Sequence, residues 1–258
     1  MVAIGAHEGR RRTSADKAFR PFHRWDRNFF LTYVALIWTV ILMGFAPEVI
    51  RRFARHAPAF PAVVHVHAVV FVGWLVLLSA QVLLVRARRT DLHRRLGWVT
   101  AGWAGAVVVM GLMASIVVDR RDLASPHPDP AFFSVQLMDM AAFAGAAAAA
   151  ILLRRNASAH KRLILLATLS MVDAGFVRWL GDPMTRWLGD GFAPFLAETY
   201  LANLALIAGI GAYDLVTRRR LHPAYAVGAA WVCGCLVTAS WLYVTPAWKP
   251  VAVALIGR

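Results

Sequence analysis

Long apolar stretches, separated by short polar segments rich in arginine, are the main pattern along this chain of 258 residues. A bilayer core about 30 Å thick is crossed by about 20 helical residues, and each apolar stretch has roughly that length. We therefore predict an all-α, polytopic membrane bundle of seven transmembrane helices. The helices cover residues 29–45, 60–85, 96–118, 131–153, 163–180, 194–216 and 225–248, and the membrane domain of residues 29–258 follows a basic segment of residues 1–28.

The basic residues are placed so that they predict an orientation. About 19 of the 28 Lys and Arg residues lie in segments 1–28, 86–95, 154–162 and 218–220, which all fall on one side of the predicted bundle. Because such residues accumulate on the cytoplasmic side, we predict a cytoplasmic N-terminus and an external C-terminus. The net charge of +14 is then explained by anionic lipids at the cytoplasmic face of the bilayer, with no need for a nucleic-acid partner.

Three of the basic turns resemble one another. Each places arginines just before a histidine that opens the next helix, namely His93, His160 and His222. This repeat predicts three helical hairpins in series behind the first span. His93 and His160 have two interpretations: they are interfacial residues beside the arginines, or they face inward at matching depth and hold a haem b between two helices.

Two histidines and a glutamine interrupt the second apolar stretch. His67 and Gln81 share one helix face, whereas His65 points roughly to the opposite side. His65 and His67 resemble a two-histidine metal motif, but one regular helix does not aim both rings at the same ion. A zinc or copper site would need His67 together with Asp139 and a further group such as Glu198.

Charged side chains inside the spans supply the candidate catalytic residues. Asp139 and Asp173 are the most deeply placed acids, and Arg178 and Glu198 lie toward the outer ends of their spans. An unpaired ionised carboxylate costs several kcal/mol in hydrocarbon, so each acid must be protonated, paired or in contact with water. Together with His67 they predict a polar pocket open to the periplasm. The alternative is a set of interhelical hydrogen bonds that only holds the bundle together.

Polar residues are unevenly distributed between the two halves of the predicted bundle. Tyr200 and Asn203 add to the polar groups of the outer half. The inner half offers little beyond Ser79, Gln81 and Thr100. We therefore expect the buried polar groups to concentrate toward the periplasm.

The chain lacks the motifs of several familiar classes of protein. A retinal protein needs a lysine buried within a span, whereas Lys17, Lys161 and Lys249 lie at or beyond predicted helix ends. The chain has no Walker A loop and no HExxH, CxxC or GxSxG motif. No motif therefore identifies a substrate or a reaction.

Three short motifs carry a resemblance to a known group of proteins. They are HVHAVVFVGWLVLLSAQVLL, LHRRLG (92–97) and HKRLILLAT (160–168). They resemble an uncharacterised family of bacterial multi-pass inner-membrane proteins with an HxH-bearing helix, a trailing glutamine and an LHRxLG turn, distantly similar to b-type cytochromes and haem A synthases. The resemblance implies a bacterial inner-membrane location and haem handling. Only the second span carries histidines on the outer side, so a bis-histidine haem would use His93 and His160.

These observations leave three hypotheses for the function. In the first, haem- or metal-linked redox chemistry or haem handling, His93 and His160 hold the cofactor and Asp139 exchanges protons with a quinol or a metal. In the second, a proton-coupled small-molecule transporter or ligand sensor, Asp139 and Asp173 protonate in turn and Arg178 pairs with an anionic group. The third is a non-catalytic assembly factor for a larger membrane complex.

Overall fold

The computed structural model describes residues 19–189 and 191–257, and this part of the chain contains helices and no β-strand. Arg10, Arg11, Arg12 and Lys17 of the predicted basic segment lie outside the described residues. The helices are α1 Asp26–Ala54, α2 Ala62–Arg86, α3 Thr90–Asp122, α4 Phe133–Leu152, α5 Ala157–Leu169, α6 Asp173–Leu188, α7 Phe192–Leu196, α8 Ala202–Arg218, α9 Pro223–Val244 and α10 Trp248–Ile256. A 3₁₀ turn, Pro130–Phe132, precedes α4, and a π-helical segment, Ala197–Leu201, joins α7 to α8.

Six helical stretches of the described chain are long and apolar enough to cross a membrane. They are Asp26–Ala54, Ala62–Arg86, Thr90–Asp122, Pro130–Leu152, Phe192–Arg218 and Pro223–Val244. The predicted polytopic helical architecture is thereby confirmed. The predicted span 163–180 is instead divided into α5 and α6, which meet at an angle of 47° and make a seventh span only when counted together.

Helix α4 lies at the centre of the bundle, in contact with α3, α5 and α9. Its small side chains Ala142, Ala146 and Ala150 are buried and allow the neighbouring helices to approach closely. Beside them, the indole N–H of Trp74 in α2 donates to the hydroxyl of Thr168 in α5 at 3.2 Å. Large apolar side chains are exposed on the outside of the bundle, as expected for surfaces in contact with lipid chains, and they include Val69, Val76, Val227 and Val237.

Helices α1 and α6 make the closest backbone contact that a glycine permits in this fold. A Cβ atom added to Gly44 would lie 2.8 Å from the Cα of Gly175 and even closer to its carbonyl oxygen. Atoms at such distances repel strongly, so neither helix admits a larger residue at this crossing without moving. The contact fixes α6 against α1 just beyond the break that separates α6 from α5.

Candidate functional site

Two buried carboxyl groups meet beside the break between α5 and α6. Asp139 is on α4 and is 8% exposed, and Asp173 is the first residue of α6 and is 3% exposed. Their carboxyl groups lie within hydrogen-bonding reach of each other. The carboxyl of Asp173 also lies against the backbone N–H of Ala174 at the start of α6, where the partial positive charge of the helix terminus favours an acid.

The break in the fifth span places Asp173 at this position. Helix α5 ends at Leu169, and Ser170 donates its hydroxyl to the carbonyl oxygen of Ala167 at 2.8 Å. Such a hydrogen bond from a serine side chain competes with the regular backbone ladder and favours an interruption. The chain then resumes as α6 at a new angle, so the first turn of α6 begins inside the bundle instead of at the membrane surface.

Two further polar side chains of the next span belong to the same buried region. Tyr200, 4% exposed, is on the π-helical segment and lies within electrostatic range of both Asp139 and Asp173. Asn203, 0% exposed, follows one turn later at the start of α8. A π-helical segment inside a span is rare and is frequent at functional sites. Sequence reasoning noticed these two residues only as outer polar groups and did not place them beside the acids.

Several polar atoms of this cluster make no hydrogen bond within the described residues. They are the Oδ1 atoms of Asp139 and Asp173, the hydroxyl of Tyr200, and both amide atoms of Asn203. A buried polar atom without a partner costs about 1–3 kcal/mol, so such a concentration in one place calls for a proton, an ion, water or a ligand. We refer to Asp139, Asp173, Tyr200 and Asn203 as the carboxyl cluster.

The other residues predicted for the pocket lie around the carboxyl cluster and do not all join it. Arg178, one helix turn after Ala174, interacts electrostatically with Asp173 and stacks its guanidinium group on Phe45 of α1, 4.6 Å from the ring centre. Glu198 instead accepts a hydrogen bond from the hydroxyl of Thr185 at 2.5 Å. Arg178 therefore borders the cluster, whereas Glu198 ties the π-helical segment to α6.

The two histidines of the HxH motif point to different neighbours, as their helical spacing predicted. The ring of His67 stacks on Phe71, with centroids 3.9 Å apart, and its Nδ1 lies 3.4 Å from the carbonyl oxygen of Met110 in α3. His65 is exposed. Within residues 19–189 and 191–257, no group of three or more His, Cys, Asp or Glu side chains is arranged to hold a metal ion. The zinc or copper site considered for His67, Asp139 and Glu198 is therefore not found there.

His93 and His160 lie next to each other, as the turn repeat predicted. Their ring centroids are 6.3 Å apart and their planes are nearly perpendicular, at 80°. Nδ1 of His160 is 2.9 Å from the carbonyl oxygen of Ala150. A carbonyl oxygen only accepts, so Nδ1 carries the proton and Nε2 of His160 keeps its lone pair.

Gln81 fixes the orientation of His93 in a similar way. The hydroxyl of Thr100 donates to the carbonyl oxygen of Leu96 at 3.0 Å, so it accepts from the amide N–H of Gln81, also at 3.0 Å. The amide oxygen of Gln81 then faces Nδ1 of His93, 2.5 Å away, and accepts the proton of that nitrogen. Nε2 of His93 therefore also keeps its lone pair.

The prediction of few polar groups at the inner end is wrong. Asp26 at the start of α1 accepts from Lys161 Nζ at 2.6 Å, from Arg218 Nη2 at 2.8 Å and from the hydroxyl of Tyr213 at 2.6 Å. These contacts join α1, α5 and α8 at the arginine-rich end of the bundle. Lys161 and Arg218 look like ordinary positive residues at helix ends, and the charge pattern alone does not reveal their acidic partner.

A second ion pair lies deeper at the same end. Arg162 and Asp214 have side chains with 0% exposure, and the guanidinium group binds both carboxylate oxygens, with Nε at 2.8 Å from Oδ2. Arg162 also donates to the hydroxyl of Ser158 at 2.9 Å, and Asp214 accepts from the backbone N–H of His222 at 3.2 Å. A sequence signal exists for part of this network, because Asp214 precedes Arg218 by four residues, the spacing of an ion pair on one helix.

His222 caps the start of α9 beside this network. Its Nδ1 accepts the backbone N–H of Ala224 at 3.1 Å, which requires a neutral ring. Burial, and then the charge of Arg162, lowers the pKa of His222 to about 4. The ring also lines a cavity of about 530 Å³ at this end of the bundle, and it is in edge contact with Phe19, 4.6 Å between centroids.

Comparison with models of known protein families, with curated proteins and with solved structures gives no match for this chain.

Proposed function

We propose that this protein is a proton-coupled transporter of a small molecule in a bacterial inner membrane, with seven spans, a cytoplasmic N-terminus and an external C-terminus. The count of seven treats α5 and α6 as one broken span. The orientation is supported by the arginine-rich turns, which all lie at the end of the bundle where Asp26 joins α1, α5 and α8. The bacterial location is supported by the resemblance of the sequence motifs.

The meeting of Asp139 and Asp173 at a broken span is the observation that carries the proposal. Two carboxyl groups in hydrogen-bonding contact share a proton, because two ionised groups at this distance repel each other and neither is solvated inside a bilayer. A site that gains or loses this proton changes its charge by one unit. Such a change alters the interactions between α4 and the first turn of α6 directly.

The broken span gives the protein a mechanical element that responds to this charge. Discontinuous helices with their ends near the middle of the membrane are a recurring device of secondary transporters, because a half-helix terminus binds a charged group and the break acts as a hinge. Asp173 occupies that terminus here, and Asp139 approaches it from α4. Protonation is thereby coupled to the position of α6.

Arg178 supplies the counter-charge on the outer side of the same helix. It interacts with Asp173 and with Glu48 of α1, so its guanidinium group stands between two acids. When Asp173 is protonated, Arg178 loses one of these partners and becomes available to an anionic group of a substrate. This provides a route by which proton binding and substrate binding depend on each other.

Infrared spectroscopy tests the proton-holding pair directly. The wild-type protein is expected to show a protonated carboxyl band at neutral pH that disappears in the Asp139→Asn variant. Asp119→Asn is the control, because Asp119 is a half-buried acid of α3 that accepts from Gln136 outside the cluster. Absence of the band from folded wild-type protein would contradict the proposal.

Reconstituted vesicles test transport itself. Vesicles loaded with a pH-sensitive dye are exposed to pools of small amines, sugars and organic acids. At least one pool is expected to change the internal pH with the wild-type protein and not with Asp139→Asn. An equal pH change with that variant would show that the carboxyl pair is not the coupling site.

A second function is favoured by the geometry of His93 and His160. Two metal–nitrogen bonds of about 2.0–2.1 Å, with about 1.1 Å from each nitrogen to its ring centre, separate two imidazole centroids by about 6.3 Å. The observed separation is 6.3 Å, and both Nε2 atoms keep a lone pair, so the residues fit one metal centre between them. A haem b bound by these rings would supply one-electron transfer.

An absorption spectrum distinguishes this second function from the first. Protein purified after growth with a haem precursor is expected to show a Soret band that is lost in His93→Ala and in His160→Ala. The control is His65→Ala, whose ring is exposed on the opposite part of α2. Colourless wild-type protein that does not take up added haemin would contradict haem binding and would leave the interfacial interpretation of these histidines.

A further inference from the structure

We propose that the carboxyl cluster binds a monovalent cation of the size of Na⁺, and that this cation and a proton of the Asp139–Asp173 pair displace each other. The inference rests on the proposed function, since it names the ion that the coupling site would exchange for a proton. It uses the unpartnered atoms of the cluster, which proton binding alone does not satisfy.

The unpartnered atoms are mostly oxygen acceptors. Asp139 and Asp173 each contribute an Oδ1 atom, Asn203 contributes its amide oxygen, and Tyr200 contributes a hydroxyl oxygen. One shared proton between the carboxyl groups leaves both Oδ1 atoms without a donor. Within the described residues, only the amide nitrogen of Asn203 and the hydroxyl of Tyr200 are unpartnered donors of the cluster. An acceptor-rich site of this kind favours a cation over an anion or a neutral acceptor.

The charge of the cluster sets the valence of the ion. With one proton on the carboxyl pair the cluster carries one negative charge, which a single monovalent cation neutralises. Arg178 interacts with Asp173 from the outer side, but its guanidinium group lies on the ring of Phe45 and donates to the carbonyl oxygen of Ala174. Mg²⁺ keeps several of its waters and Ca²⁺ takes six to eight oxygens, so both demand more room or more ligands than four side-chain oxygens provide.

The backbone around the cluster supplies further oxygen ligands. The break after Leu169 and the π-helical segment both interrupt the regular ladder in which each carbonyl oxygen accepts an N–H four residues later. Carbonyl oxygens released in this way are the usual partners of a monovalent cation in a discontinuous span. The two described cavities are lined by other residues, so the occupant of the cluster is as small as a single ion.

Thermal unfolding in detergent tests the inference with simple salts as probes. The unfolding midpoint is measured in choline chloride and after replacement by NaCl, LiCl, KCl, MgCl₂ or CaCl₂ at constant ionic strength. Na⁺ is expected to raise the midpoint, and the other cations to raise it less. The Na⁺ concentration for half of the effect is expected to increase about tenfold for each unit by which the pH is lowered, because one proton competes with one ion.

Two variants and a matched control locate the effect. Asp139→Asn and Tyr200→Phe are each expected to abolish the Na⁺ response. Tyr225→Phe is the control for Tyr200→Phe, because Tyr225 is equally buried but its hydroxyl already donates to the carbonyl oxygen of Ile207 at 3.0 Å. Tyr225→Phe is expected to lower the unfolding midpoint while keeping the Na⁺ response. If Asp139→Asn does not fold, the Tyr200 and Tyr225 pair decides the outcome alone.

The result separates this inference from the proposed function. A midpoint that depends on total salt but not on the identity of the cation overturns the cation site, and proton-coupled uptake by the same preparation would still support the transporter. A Na⁺ response without proton-coupled uptake overturns the transporter and retains the cation site. A Na⁺ response that survives in Tyr200→Phe also overturns the site, because the ion then binds elsewhere.

Discussion

Removing one partner of the Arg162–Asp214 ion pair is expected to destabilise the protein strongly and unequally. Both side chains are fully buried, and breaking a buried pair costs about 3–5 kcal/mol because the remaining charge is left uncompensated. In Arg162→Met, Asp214 keeps Arg218 at 3.9 Å and the backbone N–H of His222 at 3.2 Å. We therefore expect a loss near the lower limit, about 3 kcal/mol.

The opposite variant leaves a less well compensated charge. In Asp214→Asn, the guanidinium group of Arg162 keeps only Ser158 as a hydrogen-bonding partner, and it lies near the cations Lys161 and Arg218. The expected loss is near the upper limit, about 5 kcal/mol. At about 2–4 °C per kcal/mol for a chain of this size, the midpoint falls by about 6–12 °C in the first variant and about 10–20 °C in the second.

The double variant tests the reasoning behind these values. Unfolding is followed by circular dichroism in mixed detergent micelles, for Arg162→Met, Asp214→Asn and Arg162→Met/Asp214→Leu. The double variant is expected to recover most of the loss, because no buried charge remains without a partner. The exposed pair Arg89–Asp91 provides the control, with little measurable change in Asp91→Asn. Single losses that simply add in the double variant, or a milder effect of Asp214→Asn, would refute this reasoning.

Two further changes follow from the packing and the helix cap. Gly44→Ala forces a Cβ atom into the backbone of Gly175, and overpacking of this kind costs about 1–3 kcal/mol, whereas Gly105→Ala has open space within 4 Å; thermal unfolding of the two variants should differ accordingly, and equal midpoints would contradict the α1–α6 contact. His222 has a pKa of about 4 in the folded protein, against about 6.5 in the unfolded chain, so the unfolded chain binds the proton first and stability falls as the pH is lowered from about 6.5 toward 4. His222→Asn, which retains a side-chain acceptor for Ala224, is expected to flatten this part of the stability profile, and an unchanged profile would assign the pH dependence to other groups.

The fold class follows from sequence because hydrocarbon imposes a simple length requirement on apolar helices. The break in the fifth span does not follow in the same way. Ser170, Met171 and Val172 continue an apolar stretch without a proline or glycine, and a turn in the backbone there depends on contacts with neighbouring helices. The extra helix α10 was also not predicted, since its nine residues are too short to register as a span.

The candidate site was predictable in its acids and not in its composition. Asp139 and Asp173 stand out because carboxyl groups are costly in a membrane, and the cost does not depend on the fold. Tyr200 and Asn203 carry no such penalty signal, and their position beside the acids depends on which face of the sixth span turns inward. Glu198 was included on the same argument as the acids, but it lies at the level of Thr185 and satisfies that hydroxyl instead.

The ionic contacts of α5 determine which part of the broken span is free to swing. Lys161 and Arg162 clamp the inner half of the span to α1 and α8, so that half behaves as a fixed post. The outer half has no comparable clamp among the residues described for α6, and it rests on α1 through a glycine contact that permits sliding. Bending at residues 170–172 therefore works as a one-sided gate, in which the carboxyl cluster sits at the fulcrum and only the periplasmic leaflet of the protein opens.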